Sequence, residues 1–91
     1  RYSKKPESVY KVAFDKDAEK EFLRLEKSAQ ELVSKKLLDL RDGNFTGDKT
    51  LSGKHKGKYR KRAGDCRIIY LRENELVLIT IIRAAYRREV Y

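Results

Sequence analysis

Gly64-Asp65 separates two strand-like runs, Lys58 to Arg62 and Cys66 to Leu71, and a two-residue turn there fixes the face of every neighbouring side chain. Such a turn pairs Ala63 with Cys66, Arg62 with Arg67, Lys61 with Ile68, Arg60 with Ile69 and Tyr59 with Tyr70. Paired residues share a face, and faces alternate along each strand. One face then carries Arg60, Arg62 and Arg67. The other carries Tyr59, Ile68 and Tyr70, a core set in which Lys61 is an awkward member. Like charges directly opposite one another destabilise a sheet. A sequence keeps such a cluster most readily where an anion binds, and arginines splayed into water are the plain alternative.

The flanking segments supply a second layer. Val9 to Phe14 reads as a strand, with Tyr10, Val12 and Phe14 on alternate positions. Asp15 offers an N-cap to a helix whose stripe is Ala18, Phe22 and Leu25, widened by Leu23. Ser28-Ala29-Gln30-Glu31 fits a capping box opening a second helix, faced by Val33, Leu37 and Leu40 and stopped at Asp42-Gly43-Asn44. Phe45 to Lys58 is irregular, broken by Gly47, Gly53 and Gly57. After a turn at Glu73-Asn74-Glu75, Leu76 to Ile82 is continuously apolar, as in a central strand buried on both faces. The order β-α-α-β-β-β predicts an α+β fold, a helical hairpin packed on a largely antiparallel four-stranded sheet. Residues 1–91 are expected to form one domain, with 1–8 as a flexible N-terminal extension. No apolar stretch approaches the ~18 residues of a membrane span, and no secretory signal is visible.

Charge is segregated. Residues 1–48 hold 11 basic and 10 acidic side chains, whereas residues 49–91 hold 12 and 4, so nearly all of the net +9 sits in the C-terminal part. That imbalance favours a polyanionic partner, nucleic acid above all. The tail Arg83 to Tyr91 adds Arg83, Arg87 and Arg88 with Tyr86 and Tyr91, and aromatics among arginines suit stacking on bases. Tyr86 packing on a sheet edge reads equally well. His55 is the one histidine, so neither a histidine pair for acid–base work nor a zinc site can be built. Cys66, the one cysteine, falls on the expected core face. It fits an inert buried thiol in a reducing cytoplasm. No phosphate-binding loop or dinucleotide fingerprint occurs, and no cofactor is implied.

Leu51-Ser52-Gly53, followed by Tyr59-Arg60-Lys61-Arg62-Ala63-Gly64-Asp65-Cys66-Arg67-Ile68-Ile69-Tyr70, resembles the core motif of the RelE/ParE toxin superfamily. The ending Tyr86-Arg87-Arg88-Glu89-Val90-Tyr91 resembles that of its RelE branch. The resemblance runs over nearly the whole chain from Val9. It implies a toxin of a type II toxin–antitoxin system, neutralised by a RelB-like antitoxin. Such a toxin enters the ribosomal A site, on the small subunit, and cleaves messenger RNA through metal-free attack of a ribose 2′-hydroxyl. By position it assigns catalysis to Arg60, Arg62, Arg67, Arg87 and Tyr91. Contacts to RNA or ribosome fall to Lys54, Lys56, Lys58, Lys61, Arg83, Tyr86 and Arg88. Arginines would stabilise the phosphorane, Arg87 would deliver a proton to the leaving 5′-oxygen, and Tyr91 would stack on a base. Three features depart from the family pattern. Arg60 and Arg62 leave no lysine at the matched sites, Cys66 replaces a common aromatic, and Ala84-Ala85-Tyr86 stands where glycine with histidine or lysine is common. The alternative is a ParE-like inhibitor of DNA gyrase that cuts no RNA.

Overall fold

A computed structural model describes residues 9–51 and 57–90, Glu89 and Val90 by backbone alone. The expected extension 1–8 lies outside them, as do Lys54, Lys56 and Tyr91. The chain runs through β1 (Lys11–Phe14), α1 (Lys16–Arg24), α2 (Lys27–Arg41), β2 (Lys49–Thr50), β3 (Lys58–Ala63), β4 (Cys66–Glu73), β5 (Leu78–Tyr86) and the single turn α3 (Arg87–Val90).

The α+β arrangement and the largely antiparallel sheet agree with the sequence, and the expected count of four strands is corrected to five. The strands form one five-stranded sheet in the order β1-β5-β4-β3-β2. β1 runs parallel to β5, with Val12 beside Ile79, and β2 joins β3 antiparallel through Lys49–Arg60 and Thr50–Tyr59. Two residues carry no alternation to read, so β2 leaves no periodic signal. The β1–β5 pairing joins distant segments, and no local turn records its direction.

β3 and β4 pair as the two-residue turn predicts, from Lys58–Leu71 through Arg62–Arg67 to Ala63–Cys66. Gly64 alone in this turn has a positive φ, 61°. A positive φ confined to the first central residue is the signature of a type II′ turn, whose twist matches that of the flanking strands. β5 is longer and starts later than expected. Leu76 lies in a 3₁₀ turn, Asn74–Leu76, and is 65% exposed, while the strand runs on through Ala84, Ala85 and Tyr86. Within 78–82 only Ile79 and Ile81 are fully buried, whereas Leu78, Thr80 and Ile82 are half-buried; burial on both faces comes further along, at Ala84 and Ala85. α1 and α2 pack on the face that carries Ile79 and Ile81.

That face forms the core. Ala18, Leu25, Ala29, Val33 and Leu40 from the helical layer pack on Ala63, Cys66, Ile68, Tyr70, Ile79, Ile81 and Ala84. Asp15 occupies the N-cap position of α1 without a side-chain cap; its carbonyl accepts the Glu19 N–H at 2.9 Å. The capping box at Ser28 does not form, because α2 begins two residues earlier with Glu26 as N-cap. The physical reason is the break itself. Leu25 and Glu26 are both extended, which buries Leu25 and leaves the Glu26 N–H to donate to the Tyr86 hydroxyl at 3.2 Å. Leu23, read as part of the apolar stripe, points away and is 66% exposed. No helix among the described residues is long and apolar enough to cross a membrane.

A Cβ at Gly64 would lie 2.8 Å from Leu32 Cδ1 in addition to the unfavourable φ. Gly64→Ala should therefore lower unfolding free energy by about 1–2 kcal/mol for the left-handed backbone alone, as read from urea denaturation. Adding Leu32→Ala should recover only the steric part.

Candidate nucleic-acid interface

Because the core claims the face of Tyr59, Ile68 and Tyr70, alternation sends Lys58, Arg60 and Arg62 of β3 to the opposite, helix-free face. Arg67 stands directly across from Arg62 on that face, and Ile69 across from Arg60. β5 continues the row with Ala85 beside Arg67. The arginines differ in access: Arg62 is exposed, Arg60 half-buried and Arg67 only 4% exposed. The sheet therefore offers graded positive charge, from a guanidinium held inside to one in solvent.

Arg87 comes to the same end of the sheet through its backbone. Its N–H donates to the Asp65 carbonyl at 2.8 Å, so α3 starts against the β3–β4 turn. Its exposed side chain lines a cleft of about 500 Å³ with Arg88, Tyr86, Asp65 and Glu26. Arg88 reaches towards the Tyr86 ring, 6.0 Å from its centroid.

Three residues assigned to RNA or ribosome contacts are engaged inside the fold. Lys61 is the clearest correction. It is 4% exposed, on the core face, and its Nζ meets Asp48 Oδ1 at 2.9 Å. A buried ammonium needs a buried carboxylate, and Asp48 supplies one. The other carboxylate oxygen accepts the Tyr70 hydroxyl. Tyr86 packs against the core cluster and takes the Glu26 N–H, which leaves its ring a structural place. Arg83 stands opposite Ile69 yet turns to Glu21 of α1, with Nη2–Oε2 at 2.7 Å. The same carboxylate accepts the Ala84 N–H at 3.1 Å. β1 pairs with β5 only as far as Ile81, so Glu21 supplies an acceptor that a longer strand would have offered.

Asp48 was missed in the sequence, although a signal existed. Lys61 sits on the core face of the hairpin, and Asp48 is the one acidic residue between Phe45 and Lys58. The same loop brings Phe45 over the sheet, where it stacks on Tyr70 with ring centroids 6.1 Å apart. The Arg72 guanidinium lies between the Phe45 and Tyr59 rings, 4.2 and 4.6 Å from their centroids. No group of three or more His, Cys, Asp or Glu side chains comes together among the described residues.

Solved structures share this architecture. The M. tuberculosis RelBE2 toxin–antitoxin complex contains a chain with TM-score 0.79 at 24% identity, over 87% of this chain and 99% of that one. An arginine-to-alanine double variant of E. coli RelE, solved with a RelB antitoxin peptide, gives 0.71 at 28% identity over 91% and 90%. The fold is that of the RelE-like toxins. A YoeB/ParE toxin from Agrobacterium tumefaciens shares it as well, with TM-score 0.73 at 14% identity over 85% and 98%. No protein-family model and no curated protein matches the chain. In this RelE-like fold the helix-free sheet face is the one that carries Lys58, Arg60, Arg62 and Arg67.

Two outcomes follow from the buried Lys61–Asp48–Tyr70 set. Asp48→Ala should cost about 3–5 kcal/mol of stability by leaving the Lys61 ammonium buried without its carboxylate, measured by thermal or urea unfolding. Burial, then the hydrogen bond to Asp48 and its negative charge, raise the Tyr70 pKa above the usual 10.0. The folded chain thus holds this proton where the unfolded chain releases it. Stability from this group is complete below about pH 10 and falls as pH rises beyond it. In an alkaline absorbance titration one of the six tyrosines should ionise only on unfolding. Tyr70→Phe should abolish that late step.

Proposed function

We propose that this chain is the toxin of a toxin–antitoxin pair and an endoribonuclease that cuts messenger RNA in the ribosomal A site. The observation that carries the reading is the Arg62–Arg67 pair, directly opposed on the helix-free face of a RelE-like fold with Arg60 two residues along the same strand. In the proposed step a ribose 2′-hydroxyl attacks the adjacent phosphorus. A 2′,3′-cyclic phosphate forms as the 2′-hydroxyl gives up its proton to solvent, and the P–O5′ bond breaks to leave a 5′-hydroxyl. The phosphorane gathers negative charge, and fixed guanidinium groups stabilise it without needing to rearrange. Arg87, anchored beside the same turn, is assigned the proton to the leaving oxygen, and Tyr91 the stacking that orients the sugar.

Arg67 is assigned the strongest electrostatic role. Arginine keeps its charge when buried, and a phosphate meets a guanidinium most strongly where water is excluded. With so few groups suited to proton transfer, positioning must carry much of the rate, which fits an enzyme whose substrate is held by the ribosome. The partner expected to silence it is a RelB-like antitoxin, acidic or bearing an amphipathic helix that covers this face. Pull-down of a small co-encoded protein from the native operon checks that expectation. The shared fold of the YoeB/ParE toxin keeps a gyrase inhibitor as the competing reading.

A toeprint on programmed ribosomes separates the two: RNase action gives a cut within the A-site codon, and an uncut message under saturating protein overturns it. Arg67→Ala and Arg87→Ala should each slow single-turnover cleavage by roughly 10²–10³-fold at saturation, as for loss of one oxyanion-stabilising donor. Wild-type rates at saturation would reduce these arginines to a docking patch.

A further inference from the structure

A second concentration of cations lies beside the helix-free face. β2 ends at Thr50 and pairs with only Tyr59 and Arg60, so β3 from Lys61 to Ala63 has a free edge. Along that edge a cleft of about 370 Å³ opens between α2, the segment 46–48 and β3. Five of its lining residues are basic, Lys36, Lys49, Arg60, Lys61 and Arg62, and one is acidic, Asp48.

Asp48 does not neutralise this cleft. One of its oxygens meets Lys61, the other accepts the Tyr70 hydroxyl, and its side chain is 4% exposed. The pair forms a spent, neutral floor. Lys36, Lys49 and Arg62 enter no ion pair among the described residues, and Lys49 and Arg62 are exposed. The wall opposite is bare: a Cβ at Gly47 would meet nothing within 4 Å. Free positive charge around an open hollow attracts an anion and has no internal partner to displace.

We propose that this cleft binds a backbone phosphate of the RNA strand, gripped by Lys36 of α2 and by Lys49, the β2 partner of Arg60, at the edge of the catalytic face. The proposal rests on RNA as the substrate class proposed above. Two features favour a phosphodiester over an acidic peptide. Arg60 and Arg62 belong to both the cleft and the helix-free face, and their positions are about 6–7 Å apart along the strand. A continuous line of phosphates passing from cleft to face engages both. The lining also includes no apolar side chain, so it offers no pocket for the apolar anchors on which peptide docking depends. Lacking aromatics, the cleft cannot stack bases either, and it meets the RNA backbone, independent of sequence.

The test uses the full chain and a 2′-O-methyl oligoribonucleotide, which 2′-hydroxyl attack cannot cut. Affinity is measured over a range of salt concentrations. The double variant Lys36→Ala/Lys49→Ala should bind several-fold more weakly at low salt. Its plot of log affinity against log salt should be shallower by about 0.7 for each phosphate no longer neutralised. Lys36→Arg/Lys49→Arg should keep the wild-type slope, and Lys16→Ala/Lys20→Ala on α1 should change nothing. Unchanged thermal midpoints exclude misfolding as the cause. A wild-type slope and affinity in the double alanine variant overturns the proposal. So does a polyglutamate peptide that binds equally well and depends on the same two lysines, since the cleft would then be a carboxylate site. Cleavage on ribosomes is scored separately. If the lysine-dependent slope persists without cleavage, the phosphate site stands and the RNase reading falls; cleavage with no lysine dependence sinks the cleft alone.

Discussion

The register of β3 against β4 is the constraint on which the rest of the molecule depends. Gly64 takes up a backbone conformation that other residues resist, and the two-residue turn it permits leaves one way to pair the strands. A slip of β3 by one residue against β4 would carry Arg60 and Arg62 into the core and Tyr59 into water. No arrangement of the helical hairpin could compensate for two guanidinium groups in an apolar layer. The charged face is therefore a product of the same turn that makes the core.

Alternation also has a cost, and Lys61 is where it falls. Holding Arg60 and Arg62 outward forces the residue between them inward. The fold answers with Asp48, which draws the segment after α2 down onto the sheet and brings Phe45 with it. That segment then serves as one wall of the basic cleft along the free edge of β3. A single buried ion pair thus links the packing of the core to the shape of the surface beside the arginines. Replacing Lys61 alone with an apolar residue would leave the Asp48 carboxylate buried with the Tyr70 hydroxyl but without its cation, and would weaken the hold on that loop.

The β3–β4 hairpin and its face assignment were legible because they rest on local chemistry: a glycine, a turn length and a period of two. The helical hairpin was legible from its apolar stripes, although its break fell earlier than Ser28 suggested because Tyr86 supplies the acceptor for Glu26. What could not be read depends on distant segments meeting. The parallel β1–β5 pair is one case. The diversion of Arg83 is another, since Glu21 reaches it only after α1 has docked beside the unpaired end of β5. In the sequence Arg83 and Arg87 look alike, two arginines near a chain end. In the fold one closes an edge and the other lines an open cleft.

The choice of arginine along this face follows from the burial gradient. Arg67 is nearly sealed, and a lysine in its place would tend to shed its proton as it lost water. A guanidinium does not, and its planar donors can grip an anion from a fixed position. Across from it, Arg62 is in solvent, where screening softens the repulsion between the two. A phosphate arriving between them would exclude that water and lower the local dielectric. It would convert a mutual repulsion into two attractions, each stronger than either arginine could exert from the surface. Two arginines opposed on one face are in this way suited to the polyanion that the proposed function requires.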